Sequence, residues 1–470
     1  MPEYNRREFL RWAMASSSAA LLTACTGNSS GPPPPRPSYF PPDHDPIARL
    51  DTRWPIKRVV YLMLENRSFD HVFGAFPGAN GVTVGVSRGK ERPLAPSPQW
   101  MAGDLPHDHL DNNEDVNGGK MDGFAHDEVS AYFAYTQASS ESIPNYWHWA
   151  RNFVLCDNFF ASAVGNSFPQ HLYFVAGQAG GAFTSPQHVK LVTRAGHTYK
   201  SWGCDGDPGQ YLLVKDANGH VHRHGRCFNF RTVGDQLRER GIDWRFYSPP
   251  YYQVGYIWNP FSAIGTYSHD RALWRRHIAD TADLVRDARR GNLPAVTWAV
   301  PRYELSDHPP YSTCFSHNWV TELVNAIMRS PVWHHTAIFI AWDEWGGFYD
   351  HVPPPKVDQL GYGIRVPMLV ISPYAKKGYI DDALGEFSTP LRFVADNWGL
   401  PYLTSRIRNA HNFEHVFDFH RKPRDPDPRP PLTGCLGTAY DTFRDKQEWP
   451  KRFWDRKPLG IKGYNQPKNR

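Results

Sequence analysis

Two apolar runs of this 470-residue chain end abruptly in paired oxygen donors. VVYLMLEN places Glu65 and Asn66 after residues 59–64, and AIFIAWDE places Asp343 and Glu344 after residues 337–342. If the two runs are neighbouring strands, three carboxylates and an amide converge, and so much like charge is stable only around a cation or with raised pKa values. Oxygen-rich ligation suits Mg²⁺, Mn²⁺ or Ca²⁺, and His351, in the Asp350-His351 pair just downstream, could draw the site toward Zn²⁺ or Fe. The competing reading has each acid capping or solvated in its own loop.

A nucleophile is offered by GNSFPQHLYFVAGQ, where Gly165-Asn166-Ser167 is a turn opening onto a helix from about Pro169. The positive end of a helix dipole favours both a serine alkoxide and a bound phosphoryl group, and a metal lowers the hydroxyl pKa further. The plainer alternative is that Ser167 only N-caps that helix, with Pro169 in its first turn.

These residues need elements to position them. The apolar runs at 59–64, 296–300, 337–342 and 366–371 read as strands covered on both faces, separated by helical stretches such as NWVTELVNAIMRSP and STPLRFVADNWG. That alternation predicts an α/β fold, a three-layer α/β/α sandwich with a mostly parallel central sheet, whose strand C-termini are where ligands sit. Residues 80–123 and 180–231, rich in Gly, Asp and His, are expected to be long functional loops over the sheet edge. With 40% hydrophobic residues the chain can bury a large core, and 52 basic against 47 acidic side chains leave too little net charge, +5, for nucleic-acid binding to be its main business.

The N-terminus NRREFLRWAMASSSAALLTAC pairs Arg6 and Arg7 with an apolar stretch too short to span a bilayer, and resembles a twin-arginine export signal. Leu22-Thr23-Ala24-Cys25 resembles a lipobox in which Cys25 is lipidated after cleavage; an ordinary cleaved signal is the alternative. GNSSGPPPPRP then reads as a polyproline tether. The expected organisation is a signal peptide over 1–25, a tether over 26–45, a catalytic domain over 46–412 and an irregular C-terminal extension over 413–470. The expected location is the cell surface or periplasm as a lipoprotein, or the secreted fraction. Of the other cysteines, Cys204 and Cys227 flank one loop region and could pair in an oxidising compartment, while Cys156 in FVLCDNFFAS reads as a buried thiol.

ENRSFDHVFG, NGGKMDGF, GNSFPQHLYFVAG, SDHPP, WDEWGGFYDHVPPP and RVPMLVISPYAKKG resemble, in order, the bacterial phosphoesterase family of non-haemolytic phospholipases C and an acid phosphatase, within the alkaline phosphatase superfamily. The resemblance runs over residues 57–412. It implies an alkaline phosphatase-like fold and one divalent metal ion, Mg, Ca, Mn or Zn, held by Glu65, Asn66, Asp343 and Glu344, with Ser167 bound to it as nucleophile. It also implies that His107, His308 and His351 surround the substrate phosphate. His107 is the first choice and His308 the second for the acid that protonates the leaving alcohol, with His109 and His317 as sequence neighbours easily mistaken for them. Relatives often carry a histidine before the segment STPLRF; here it is Phe387, which puts a second metal in doubt.

The expected activity is phospholipase C-like hydrolysis of phospholipid head groups through a phosphoserine, with acid phosphatase action on monoesters as the alternative. A sulfatase is a rival because Ser167-Phe168-Pro169-Gln170-His171 echoes that signature, but the fifth position holds His171 rather than Arg. A non-catalytic surface lipoprotein that captures phosphate-bearing ligands is the third reading. Trp202, Tyr211, Phe228 and Phe230, followed by YSPPYYQVGYIW, could cage a choline group or simply pack. The oligomeric state is not legible.

Overall fold

A computed structural model of the chain describes residues 45–101 and 103–435. The expected signal peptide with Cys25, nearly all of the tether, and the last part of the C-terminal extension lie outside the described residues. Strands β1 (Arg58–Leu64), β2 (Val154–Cys156), β3 (Trp244–Ser248), β4 (Ile278–Asp280), β5 (Val296–Ala299), β6 (Thr336–Trp342), β7 (Met368–Ile371) and β8 (Tyr379–Asp381) form one sheet in the order β4-β3-β5-β1-β6-β7-β2-β8. Every pairing is parallel except those of β7, which runs antiparallel to both β6 and β2.

β1 and β6 are buried along their whole length, as their apolar runs at 59–64 and 337–342 require. Six helices bear on the site: α1 (Phe69–Phe73), α2 (His109–Val116), α3 (Pro144–Asn152), α4 (Ser167–Ala176), α5 (Thr313–Arg329) and α6 (Ser388–Trp398). Side chains an odd number of residues apart on a strand point to opposite faces. Phe339 meets Phe393 of α6, and Trp342, three residues on, meets Tyr146 of α3. α4 packs with α6, and α5 with α3, so helices cover both faces and the architecture is the three-layer α/β/α sandwich. Burying each such aromatic or aliphatic side chain contributes about 1.5–3 kcal/mol.

The segments read as loops carry more structure than their composition suggests. Residues 80–123 contain α2 and the hairpin of Val84–Ser87 with Lys90–Pro93, and residues 180–231 contain the hairpins Val192–Arg194 with His197–Tyr199 and Tyr211–Lys215 with Val221–Gly225. Cys204 and Cys227 form a disulfide, and Cys156 is a buried free thiol. Over residues 413–435 a single turn, Glu414–Val416, is regular. That stretch is held instead by its backbone: Asn145, Asn318 and Asn325 side chains bond the carbonyls of Pro430, Leu432 and Arg429, and a disulfide joins Cys435 to Cys314 at the start of α5.

Candidate active site

Leu64 pairs with Trp342 in the parallel register of β1 and β6, so the next residues, Glu65 and Asp343, leave the sheet side by side. Asn66 then turns into the left-handed region at φ 56°, which asparagine tolerates better than most residues. That twist aims its backbone N–H at Asp343 Oδ1, 3.0 Å away. Glu344 Oε2 accepts the Gly346 N–H at 2.6 Å. Gly346, at φ 62°, admits no side chain, since a Cβ would come within 2.5 Å of the Asn66 carbonyl oxygen. Glu65, Asn66, Asp343 and Glu344 are all fully buried.

The packing leaves one oxygen of each without a hydrogen-bond partner: Glu65 Oε2, Asn66 Oδ1, Asp343 Oδ2 and Glu344 Oε1. Buried polar atoms of this kind are normally satisfied, so four in one cluster mark a place for a ligand. Burial, followed by the neighbouring Asp343 and Glu344 carboxylates, pushes the Glu65 carboxyl well above its ordinary range. Burial does the same to Asp343 and Glu344. An all-oxygen, anionic donor set that is strained toward protonation fits a divalent cation.

Ser167 is the first residue of α4, and the N-cap is Asn166, whose side chain makes no capping bond within the helix. The plain capping role weighed for Ser167 therefore belongs to its neighbour. Ser167 lies near enough to Asp343 to hold its carboxyl down against burial, which puts the side chain at the carboxylate cluster and at the positive end of the helix. Gly165, at φ 138°, makes the turn possible, because a Cβ there would lie 2.5 Å from the Phe183 carbonyl oxygen. One helical turn beyond Ser167, His171 presents Nε2 to Glu65 Oε1 at 2.9 Å. Burial lowers its pKa to about 3, so this imidazole is neutral and donates to the carboxylate it orients. Its i+4 spacing from Ser167 was the available signal, missed when His171 was considered only as a signature position.

His107 and His308 flank the cluster from two further loops, their rings 5.8 Å apart. His107 Nδ1 lies 2.6 Å from the Leu105 carbonyl oxygen, which leaves Nε2 facing Asn66 Nδ2 at 3.1 Å and Glu344 Oε1 at 3.7 Å. Burial opposes its charge, yet Asp104, Glu344, the Leu105 carbonyl and Asp343 together raise its pKa to about 9. Burial lowers the pKa of His308, whose ring rests against Tyr303 and Trp258. Asp104, a residue without motif context, sits 3.7 Å from His107 Nδ1 and 3.9 Å from His308 Nε2. His317 accepts the Asn145 N–H inside the fold, and His109 bonds the Val164 carbonyl beside the Gly165 turn.

His351 is engaged in a different cluster. Its Nδ1 lies 2.6 Å from Asp70 Oδ2 and its Nε2 3.2 Å from Asn80 Oδ1, while Arg365 bridges Asp70 and Asp350 and donates to the carbonyls of Asn80 and Asp157. Asp70 lies in the first turn of α1 and Asp350 follows the Gly346-Gly347 turn, so this ion cluster ties together the two segments that carry the four donors. Arg365→Ala would strand two buried carboxylates and is expected to cost about 3–5 kcal/mol of stability, read by denaturant unfolding. A change within about ±0.5 kcal/mol, the range typical of surface substitutions, would contradict the role.

A family model described as the Phosphoesterase family matches residues 56–401. Among curated proteins, the chain is 26% identical to a hemolytic phospholipase C of Pseudomonas aeruginosa, over 89% of this chain and 64% of that protein. It is 25% identical to a non-hemolytic phospholipase C of Burkholderia pseudomallei, over 84% and 61%, and 24% identical to phospholipase C B of Mycobacterium tuberculosis, over 82% and 83%. The chain thus spans less than two thirds of the length of the first two. Among solved structures, a protein of the alkaline phosphatase superfamily from Vibrio parahaemolyticus aligns with TM-score 0.35 and 11% identity, over 85% of this chain and 88% of that one. By the family match across most of its length, the chain belongs to the Phosphoesterase family.

Proposed function

We propose that this chain is a metal-dependent phosphoesterase that cleaves phosphate esters through a phosphoserine at Ser167, acting in phospholipase C fashion on phospholipid head groups. The observation that carries the reading is the set of four buried oxygens without hydrogen-bond partners on Glu65, Asn66, Asp343 and Glu344, with Ser167 beside them. Those four residues and Ser167 would hold one divalent cation, Mg, Ca, Mn or Zn, which when bound supplies positive charge against the phosphate and lowers the serine pKa.

The chain's own groups do the rest. Ser167 Oγ attacks phosphorus in line, its hydroxyl proton directed to Asp343. The α4 N-terminus and the Asn66 amide stabilise charge on the nonbridging oxygens. His107, with Nδ1 fixed by the Leu105 carbonyl and Nε2 turned to the cluster, is placed to give a proton to the leaving alcohol; His308 is the second candidate. Water then attacks the phosphoserine, the same imidazole takes its proton, and the bond from phosphorus to Oγ breaks as the proton returns from Asp343 to Ser167. His171 is tied to Glu65 and takes the place of the arginine a sulfatase signature requires, so sulfate ester hydrolysis is not favoured.

The test is release of phosphocholine from phosphatidylcholine vesicles against hydrolysis of p-nitrophenyl phosphate, by one preparation with and without chelator. Both activities should vanish with chelator. Efficient monoester turnover without phosphocholine would remove the lipase reading and leave a phosphatase; turnover indifferent to chelation would remove the metal. We propose further that the chain is exported by the twin-arginine route and anchored through Cys25. Replacing Arg6 and Arg7 by lysine should strand the precursor in the cytoplasm, and Cys25→Ala should release the protein from the membrane fraction. A Cys25→Ala protein still found there would show that the lipobox is merely the end of a cleaved signal.

A further inference from the structure

Residues 182–204 carry Lys190, Arg194 and Lys200 and not one carboxylate. Most of the hairpin they form, Val192–Arg194 with His197–Tyr199, is exposed, as are Lys190, Leu191 and Lys200 around it. Leu191 is 61% exposed, and on the neighbouring loop, which has no charged residue between Pro249 and Gly255, Tyr252 is 46% and Val254 39% exposed. The two segments make one surface: Tyr252 stacks on His197 at 4.7 Å, Tyr251 packs edge-on against Tyr199 at 5.0 Å, and the Arg194 guanidinium lies over the Tyr251 ring at 5.5 Å.

Both segments begin or end at the candidate active site. The Ser185 N–H donates to the side chain of Asn166, the residue before Ser167. At the other end the Gly255 backbone is pressed against Pro301 and Tyr303, and Trp258 stacks on Tyr303 at 4.9 Å and lies 6.0 Å from the His308 ring. Single exposed apolar residues are ordinary on any protein surface. Here they are grouped with cations, neither segment carries a carboxylate, the adjoining Asp205 is engaged by Ser201 and Tyr256, and the segments are joined at their ends to residues bordering the site. That is the pattern of a surface that sits at a bilayer interface, with apolar tips at the acyl boundary and lysines on anionic head groups.

We propose that the hairpin around Val192–Arg194 and His197–Tyr199, with the loop at 249–255, docks the protein on a bilayer containing anionic phospholipid, so that the site opens onto its substrate. The proposal rests on the phosphoesterase reading for the purpose of docking, and its test separates the two. The full chain carrying Cys25→Ala, so that no acyl anchor contributes, is compared with the same chain also carrying Lys190→Glu, Leu191→Ser, Lys200→Glu and Val254→Ser. Sedimentation with phosphatidylcholine vesicles, with and without phosphatidylglycerol, reads docking. The parent should bind, more tightly with phosphatidylglycerol, and the variant at least about tenfold more weakly. Phosphocholine release should fall in step while p-nitrophenyl phosphate turnover stays unchanged. A parent that does not sediment, binding indifferent to phosphatidylglycerol, or a variant that binds as well as the parent would overturn the docking surface. Lost vesicle binding in the variant, with no ester hydrolysed by either protein, would uphold the surface and refute the phosphoesterase reading.

Discussion

Ser167→Ala should lower turnover of any accepted phosphate ester by at least about 10³-fold, the scale seen when a covalent nucleophile is removed. The loss should fall on kcat. Substrate would still meet His107, His308 and the helix N-terminus, so KM should move far less. Stability should change by about 1 kcal/mol or less, because Asn166 and not Ser167 occupies the cap, and a lost cap itself costs only about that much. Activity within tenfold of wild type would sink the nucleophile assignment. The comparison is clean because the same variant keeps all three carboxylates and the Asn66 amide, and so should keep most of its metal.

Asp343→Asn is expected to act through the opposite link. It removes charge from the donor set and the acceptor for the Ser167 hydroxyl, so both metal and activity should be lost, affinity falling by at least about 100-fold. The metal-free protein should behave differently. Burial and mutual repulsion raise the carboxyls of Glu65, Asp343 and Glu344, so with metal removed they favour their protonated forms in the fold. Stability held by those groups is fully present below the ordinary carboxylate range and is lost as pH rises toward neutrality. The amide relieves that repulsion. Chelated Asp343→Asn should therefore melt at a higher temperature than chelated wild type at pH 7, with the gap closing at acid pH, while loaded wild type melts above both. Unchanged metal by elemental analysis of the variant would show that the donors have been misassigned.

Much of this site was legible because its donors end long apolar runs. Glu65 and Asp343 stand out against β1 and β6, whose buried polar residues Arg58 and Thr336 lie at the opposite ends of the strands. Their adjacency depended on strand pairing, which sequence shows only as the condition that the strands be neighbours. The Leu64 and Trp342 register supplies it. The reversal of β7 was invisible, since a four-residue strand buried on both faces reads the same in either direction. Asp104 gave no signal either, lying in an irregular loop whose place is set by Leu105 packing under Gly347. The resemblance implied a phosphate contact for His351, and the structure places its Nδ1 against Asp70, which also pairs with Arg365. The C-terminal extension has no periodicity because its hold comes from asparagines on α3 and α5, more than a hundred residues away.

The central claim is a covalent phosphoserine in a metal-dependent site, and acid quenching during turnover of p-nitrophenyl phosphate, followed by mass mapping of the peptide around Gly165 to Ala176, tests it most directly. The account predicts one phosphate on Ser167 in wild type, absent after chelation and absent in Ser167→Ala. An enzyme that turns over steadily with no phosphate on Ser167 at any quench time, and with inversion at a chiral phosphorus, would contradict it.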